Sequence, residues 1–232
     1  MNIDSYESLT TRIERLRLTR CGSTPVLTIF VAYAPTSSYD DEELEAFYMD
    51  LERSFREDHT FFKVIFGDFN AKIGPRKMAE ELHIGPHGIE WIEQGGRLSE
   101  FIMSTHTIHG NSQFQKPSHS RWTCESPGGQ FHNEIDHIIV NRKFSLTDVA
   151  VVPKLYTGSD HRLRARFRFS VPGERAMRFR KRSPKTVVSW DHFASLASLR
   201  EGCVSDNIDG NIDTTGSSNI FTIALAKKRV YE

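Results

Sequence analysis

Phe61-Phe62-Lys63-Val64-Ile65-Phe66-Gly67-Asp68-Phe69-Asn70 decides the fold. Residues Phe61 to Phe66 form a short, nearly continuous apolar run, which suits a strand buried on both faces, and Gly67 closes it. Polar groups then follow at once. Strand ends in a mixed sheet lift such groups into a crevice, where these folds build their sites. Asp68 and Asn70, two apart, can reach one ligand from an extended segment. Asp68 can serve as a base or metal ligand, and Asn70 can donate to a phosphate oxygen. Gly67, Asp68 and Asn70 are equally ordinary turn formers.

Upstream, Val26 to Ala34 is a β-rich apolar run ending at Pro35, a first buried strand. Thr36, Ser37, Ser38 and Asp40 offer N-cap chemistry. Behind them Leu44, Phe47, Tyr48, Leu51 and Phe55 share one face of an amphipathic helix. Arg12 to Leu18 mixes charged and apolar residues as a half-exposed strand does. Downstream, glycines and prolines between Gly74 and Gly96 mark a long loop region. Leu98, Phe101 and Ile102 mark a short helix. Residues His106–Phe114, Ser120–Cys124 and Glu134–Val140 read as strands. Leu163, Ala165, Phe167 and Phe169 alternate with four arginines, a strand with one polar face.

After Pro172 the character changes. Residues 175–185 carry six basic residues and no acid, and a weak amphipathic segment follows at Trp190, Phe193, Leu196 and Leu199. We expect a domain over 1–171 and, over 172–232, a basic, partly disordered linker with a short helix. The order of elements in 1–171 points to an α/β or α+β domain with large sheets.

Composition narrows the function. Thirty basic and thirty acidic residues cancel, so the chain lacks an overall basic coat. Three cysteines, Cys21, Cys124 and Cys203, are odd in number and widely spaced. They argue against a disulfide framework and for a reducing compartment. No apolar stretch is long enough for a membrane helix, and residues 1–9 do not read as a signal peptide. A soluble, intracellular protein is expected, with no membrane and no disulfide partner.

Four further clusters bear chemistry. Tyr33-Ala34-Pro35-Thr36 ends the first buried strand, and Tyr33 could bond a phosphate or stay in the core. Trp122-Thr123 lies near Asp136 in sequence. Trp122 could stack on a base or sugar, or pack internally. In Ile135-Asp136-His137-Ile138, Asp136 interrupts an apolar strand, and a buried carboxylate there needs a partner. Ser159-Asp160-His161 sets a carboxylate beside an imidazole that can position or protonate a phosphate. The pairs His83/His87 and His106/His109 lack the accompanying pattern of a zinc site.

Taken in order, Val31-Ala32-Tyr33-Ala34-Pro35-Thr36, Gly67-Asp68-Phe69-Asn70-Ala71-Lys72-Ile73-Gly74, Trp122-Thr123, Ile135-Asp136-His137-Ile138 and Ser159-Asp160-His161 strongly resemble the endonuclease/exonuclease/phosphatase superfamily. Within it, residues 12–171 look most like the apurinic-type endonuclease domain of RTE-like non-LTR retrotransposons. That group includes sequences termed craniofacial development protein-like. The resemblance implies a four-layer α/β/β/α sandwich. It implies a metal-dependent DNA endonuclease using Mg²⁺ or Mn²⁺, with DNA as partner. Asp68 would activate or position water. Asn70 and Tyr33 would contact the scissile phosphate, with Thr123, Trp122 and Thr36 beside the substrate. Asp160, Asp68 and Asn70 would hold metal, and Asp136 would orient His161.

Family members begin earlier than this chain, with a strand bearing an Asn and another ending in a Gln-Glu-Thr-like motif whose Glu is the principal metal ligand. Only 25 residues precede Val26 here, and Glu7 and Glu14 lack that motif. The expectation is a family domain lacking its first β-α-β segment, with weak Mg²⁺ binding and low stability. Two alternatives remain. One is an inactive remnant binding nucleic acid through Arg162, Arg164, Arg166, Arg168 and the 175–185 run. The other is a phosphodiesterase of the same fold acting on a small molecule.

Overall fold

The computed structural model describes residues 2–19, 26–36, 40–78, 81–125, 130–151, 163–168 and 220–225. Its largest element is a six-stranded sheet. In chain order its strands are β1 (Asn2–Ser8), β2 (Ile13–Thr19), β3 (Leu27–Tyr33), β4 (Phe62–Asp68), β5 (Ile108–His109) and, later, β8 (Asp136–Val140). Between the last two come a small hairpin of β6 (Cys124–Glu125) and β7 (His132–Asn133). A second sheet holds β9 (Leu146–Ala150), β10 (Leu163–Arg168) and β11 (Ile220–Leu225). The spatial orders are β1-β2-β3-β4-β8-β5 and β11-β10-β9.

Helix α1 (Asp41–Glu57) crosses between β3 and β4, which run parallel. Its start is set by Asp40, whose side chain accepts from the Glu42 N–H, with Asp41, Glu42 and Glu43 in the first turn favouring the positive end of the helix. The expected apolar stripe is the buried face, with Phe47, Tyr48, Leu51 and Phe55 all turned inward. Helix α2 (Glu93–Ser104) buries Leu98, Phe101 and Ile102 against the same side of the sheet.

Two cores result because the central strands are apolar on both faces. On one face Phe30, Ile65 and Ile139 pack with both helices. On the other Ile29, Val64, Phe66 and Ile138 pack against Leu146, Val149, Leu163, Ala165 and Phe167 of the second sheet. The described residues therefore form three layers of the expected sandwich: helices, sheet and sheet. The helix expected around Trp190–Leu199 lies outside them, as does the 175–185 run.

The strand expectations need several corrections. His106–Phe114 does not run as one strand. Only Ile108–His109 pairs, and Asn111–Gln113 turns into a 3₁₀ helix, because the Asn111 side chain takes over the ladder bonds of β8. Ser120–Cys124 is likewise not one strand: Ser120 ends the 3₁₀ turn Ser118–Ser120, and of this stretch only Cys124 pairs, in the two-residue β6. Strands β1 and β9 were not foreseen. The first is a largely exposed edge strand whose pattern lacks an apolar period, and the second is only five residues long. Within 172–232, Ile220–Leu225 pairs antiparallel with β10.

Candidate active site

The site begins with register. In the β3–β4 pairing Tyr33 lies level with Asp68, and in the β4–β8 pairing Asp68 lies level with Asp136. Tyr33, Asp68 and Asp136 thus form one row across three strands. Alternation decides which face they occupy. Asp68 follows Phe66, and Asp136 precedes Ile138, at steps of two. Both neighbours pack between the sheets, so the three polar residues stand at the rim of the inter-sheet core. Asp68 is 5% exposed and Asp136 is fully buried.

The loop after β4 bends sharply. Asn70 adopts a left-handed conformation with φ of 47°, which Asn tolerates better than most residues. Its backbone N–H donates to Asp68 Oδ1 at 2.9 Å, and its side-chain Nδ2 donates to the Ala34 carbonyl at 3.0 Å. Asn70 therefore ties the end of β4 to the Tyr33-Ala34-Pro35-Thr36 segment. The Ala34 N–H returns a bond to the Asp68 carbonyl at 2.9 Å. Arg12 sits over the Tyr33 ring, 5.7 Å from its centroid, and is itself anchored by Glu43 of α1 at 2.7 Å.

Behind Asp136 the hydroxyl of Thr123 accepts from the Ile135 and Asp136 N–H groups at 3.1 and 3.0 Å. Thr123 is 1% exposed, so in this structure its hydroxyl serves the backbone of β8. Asn111 donates to the Asp136 carbonyl at 2.9 Å and accepts from the Ile138 N–H at 3.0 Å. A buried two-pronged ion pair, Arg121 to Glu134 at 3.1 and 3.0 Å, braces Asn111 through Glu134.

On the opposite face of β8, His137 and His109 meet, Nδ1 to Nε2, at 2.9 Å. Burial drives the His109 pKa well below the ordinary imidazole value, and the facing His137 and nearby Arg121 push the same way. Burial lowers His137 as well, against the pull of Glu134. His109 was grouped with His106 in the sequence. The fold pairs it instead with a residue 28 positions away.

Of the expected site residues, Tyr33, Asp68, Asn70 and Asp136 come together, with Thr123 behind them. Thr36 lies half-buried three residues past Tyr33. Trp122 has one face stacked on His132, 4.1 Å between centroids, leaving at most its other face for a base or sugar. Asp160 and His161 lie outside the described residues, as does Arg162. Glu7 is paired with Arg15, level with Phe30 on the helix-facing side, away from Asp68. The residues to which sequence reasoning gave no role, Asn111, Ser112, Arg121 and Glu134, and the two histidines it left without a partner here, His109 and His137, are polar and wholly or nearly buried. Burial is their signal, and it is not readable from spacing.

Among the described residues no group of three or more His, Cys, Asp or Glu side chains is placed to hold a metal. The groups that register and the Asn70 turn bring to this strand end, two carboxylates, the Asn70 amide oxygen and the Tyr33 hydroxyl, are all hard oxygen donors. Such donors fit a small divalent cation completed by water and phosphate oxygens. Cys124 is a free thiol. No described helix is long and apolar enough to cross a membrane.

No family profile matches the chain. Over 150 residues it is 33% identical to craniofacial development protein 2 of Bos taurus, a match covering 62% of this chain and 25% of that protein. Craniofacial development protein 2 of Tragulus javanicus matches at 33% identity over 150 residues, covering 26% of that protein. The chain thus spans about a quarter of the length of the curated relatives it matches. Among solved structures, the 3′ phosphatase NExo from Neisseria bound to product DNA hairpin gives a TM-score of 0.49 at 18% identity, covering 68% of this chain and 65% of that chain. The AP endonuclease LMAP from Leishmania major gives 0.43 at 14%, covering 65% and 52%. Over those 150 residues the chain is similar to craniofacial development protein 2, and its described residues form a mixed α+β fold in which one strand row carries Tyr33, Asp68 and Asp136.

Proposed function

We propose that the chain is a phosphodiester hydrolase of the nuclease type, acting on DNA and descended from a retroelement endonuclease. The row Tyr33–Asp68–Asp136 is the observation that carries this reading, because it gathers two carboxylates and a hydrogen-bonding hydroxyl at one strand end. Asp68 positions the attacking water and takes its proton. Asn70, held at Ala34, and Tyr33, held under Arg12, orient the scissile phosphate. Asp136 orients His161, which holds the phosphate with Asp160. Mg²⁺ or Mn²⁺, bound by Asp68, Asn70 and Asp160, would neutralise phosphate charge.

The test is nicking of supercoiled plasmid in Mg²⁺ or Mn²⁺ beside an Asp68→Asn control. Nicking that vanishes in the control is expected. Nicking that survives it means another group performs the chemistry.

A second reading has its own observation. On β10 the residues alternate, with Leu163, Ala165 and Phe167 buried while Arg166 and Arg168 are exposed and Arg164 is partly so. That stripe could bind nucleic acid without cleaving it. Neutralising all three arginines would then weaken DNA binding and flatten its salt dependence. Cleavage lost in Asp68→Asn with binding intact favours the hydrolase.

A further inference from the structure

The two buried histidines lie in a continuous line of hydrogen bonds with a backbone group at each end. The Gly85 N–H donates to Ser112 Oγ at 2.8 Å. Ser112 Oγ lies 2.8 Å from His109 Nδ1, His109 Nε2 lies 2.9 Å from His137 Nδ1, and His137 Nε2 lies 2.7 Å from the Ala71 carbonyl. The ends fix every proton between them. A carbonyl only accepts, so His137 Nε2 must donate to Ala71. With one proton per neutral ring, His137 Nδ1 must accept, so His109 Nε2 donates. His109 Nδ1 then accepts from the Ser112 hydroxyl, whose oxygen is already the acceptor for Gly85. An extra proton on His137 Nδ1 would set N–H against N–H. One on His109 Nδ1 would turn Ser112 Oγ from donor to acceptor, the hydroxyl's own proton passing to the His109 carbonyl 3.3 Å away.

Ala71 follows Asn70, so the line ends on the loop that carries the site. Ala71 and both rings are fully or almost fully buried. The loop is held from two sides: the Asn70 amide grips the Ala34 carbonyl near the inter-sheet rim, and His137 grips the Ala71 carbonyl from the helix-facing side. Without the second grip, Asn70 retains its strained left-handed turn with one fewer restraint. A buried carbonyl that loses its donor also costs about 1–3 kcal/mol, which favours rearrangement of this loop.

We infer that His137 is a positioning residue for Asn70, acting through the Ala71 carbonyl, with His109 and Ser112 holding its ring in the donating tautomer. The inference rests on the hydrolase reading only for its effect on cleavage. Gln at 137 can still present a donor where Nε2 stands, whereas Leu cannot.

The experiment uses the full chain labelled with ¹⁵N, in wild-type, His137→Leu and His137→Gln forms, together with steady-state cleavage of a short DNA duplex. The wild type is expected to show both rings as Nε2–H tautomers. In His137→Leu the Asn70 side-chain amide signal should move, and kcat should fall about 100-fold from misplacement of the group, with KM little changed. His137→Gln should restore both. An Nδ1–H tautomer on either ring, or an unmoved Asn70 amide in a folded His137→Leu protein, overturns the inference. If His137→Leu does not fold, the wild-type tautomers and the Asn70 signal of His137→Gln decide the matter. If the wild type does not cleave, the hydrolase reading falls, while the Asn70 signal still tests His137.

Discussion

Asp68 and Asp136 stand level on adjacent antiparallel strands, one the last residue of β4 and the other the first of β8. Residues so placed have Cβ atoms about 4.5–5.5 Å apart, and like charges in that relationship cost stability. Under the proposed function, a cation and a phosphate bound there would offset that cost.

Asp68→Asn should therefore separate stability from chemistry. The amide keeps the acceptor for the Asn70 N–H and removes one of the opposed charges. The variant should melt no lower than the wild type while losing at least about 100-fold in cleavage, a typical loss for a general base. Thermal denaturation beside plasmid nicking checks both halves. A large fall in melting temperature would mean that Asp68 is structural.

Thr123→Val should destabilise the fold because it leaves the Ile135 and Asp136 N–H groups without their acceptor. Each buried orphan costs about 1–3 kcal/mol. Thr123→Ser, which keeps the hydroxyl, should recover most of the loss. Urea titration of the three proteins reads this out, and equal midpoints would dismiss the latch.

Gly67 permits the close approach of β3 and β4 beneath the site. A Cβ there would lie 1.8 Å from the Ala32 carbonyl oxygen, a backbone atom that cannot swing aside. Gly67→Ala should cost at least about 1–3 kcal/mol, the range for overpacking. It should also shift the backbone amide signals of Ala32, Tyr33 and Asp68. A stable variant with unmoved signals would contradict the packing.

Acid should weaken the fold through His109. Its folded pKa is depressed, so the unfolded chain takes up the proton first as pH falls. The stability tied to the neutral ring is fully present above the unfolded value of about 6.5. It is lost progressively as pH drops from there toward the folded value. His109→Gln should flatten the stability–pH curve across that interval. A variant curve parallel to the wild type from pH 7 to pH 5 would refute the assignment.

Local pattern alone determined much of this protein. The apolar runs of β3 and β4, the stripe of α1, the capping at Asp40 and the alternation of β10 are all set within a few residues, where dihedral period and side-chain direction act. Motif order named Tyr33, Asp68, Asn70 and Asp136, because strand ends carry polar groups out of apolar runs. Tertiary structure alone decided the rest. It aligned Tyr33, Asp68 and Asp136 in one row, since register depends on which strands pair. It also brought His109 to His137, turned Asn111 into a substitute for a strand, and enclosed Arg121 with Glu134. Those polar residues look like surface in the sequence. They are buried because partners distant along the chain satisfy their hydrogen bonds, and no local period records such pairing.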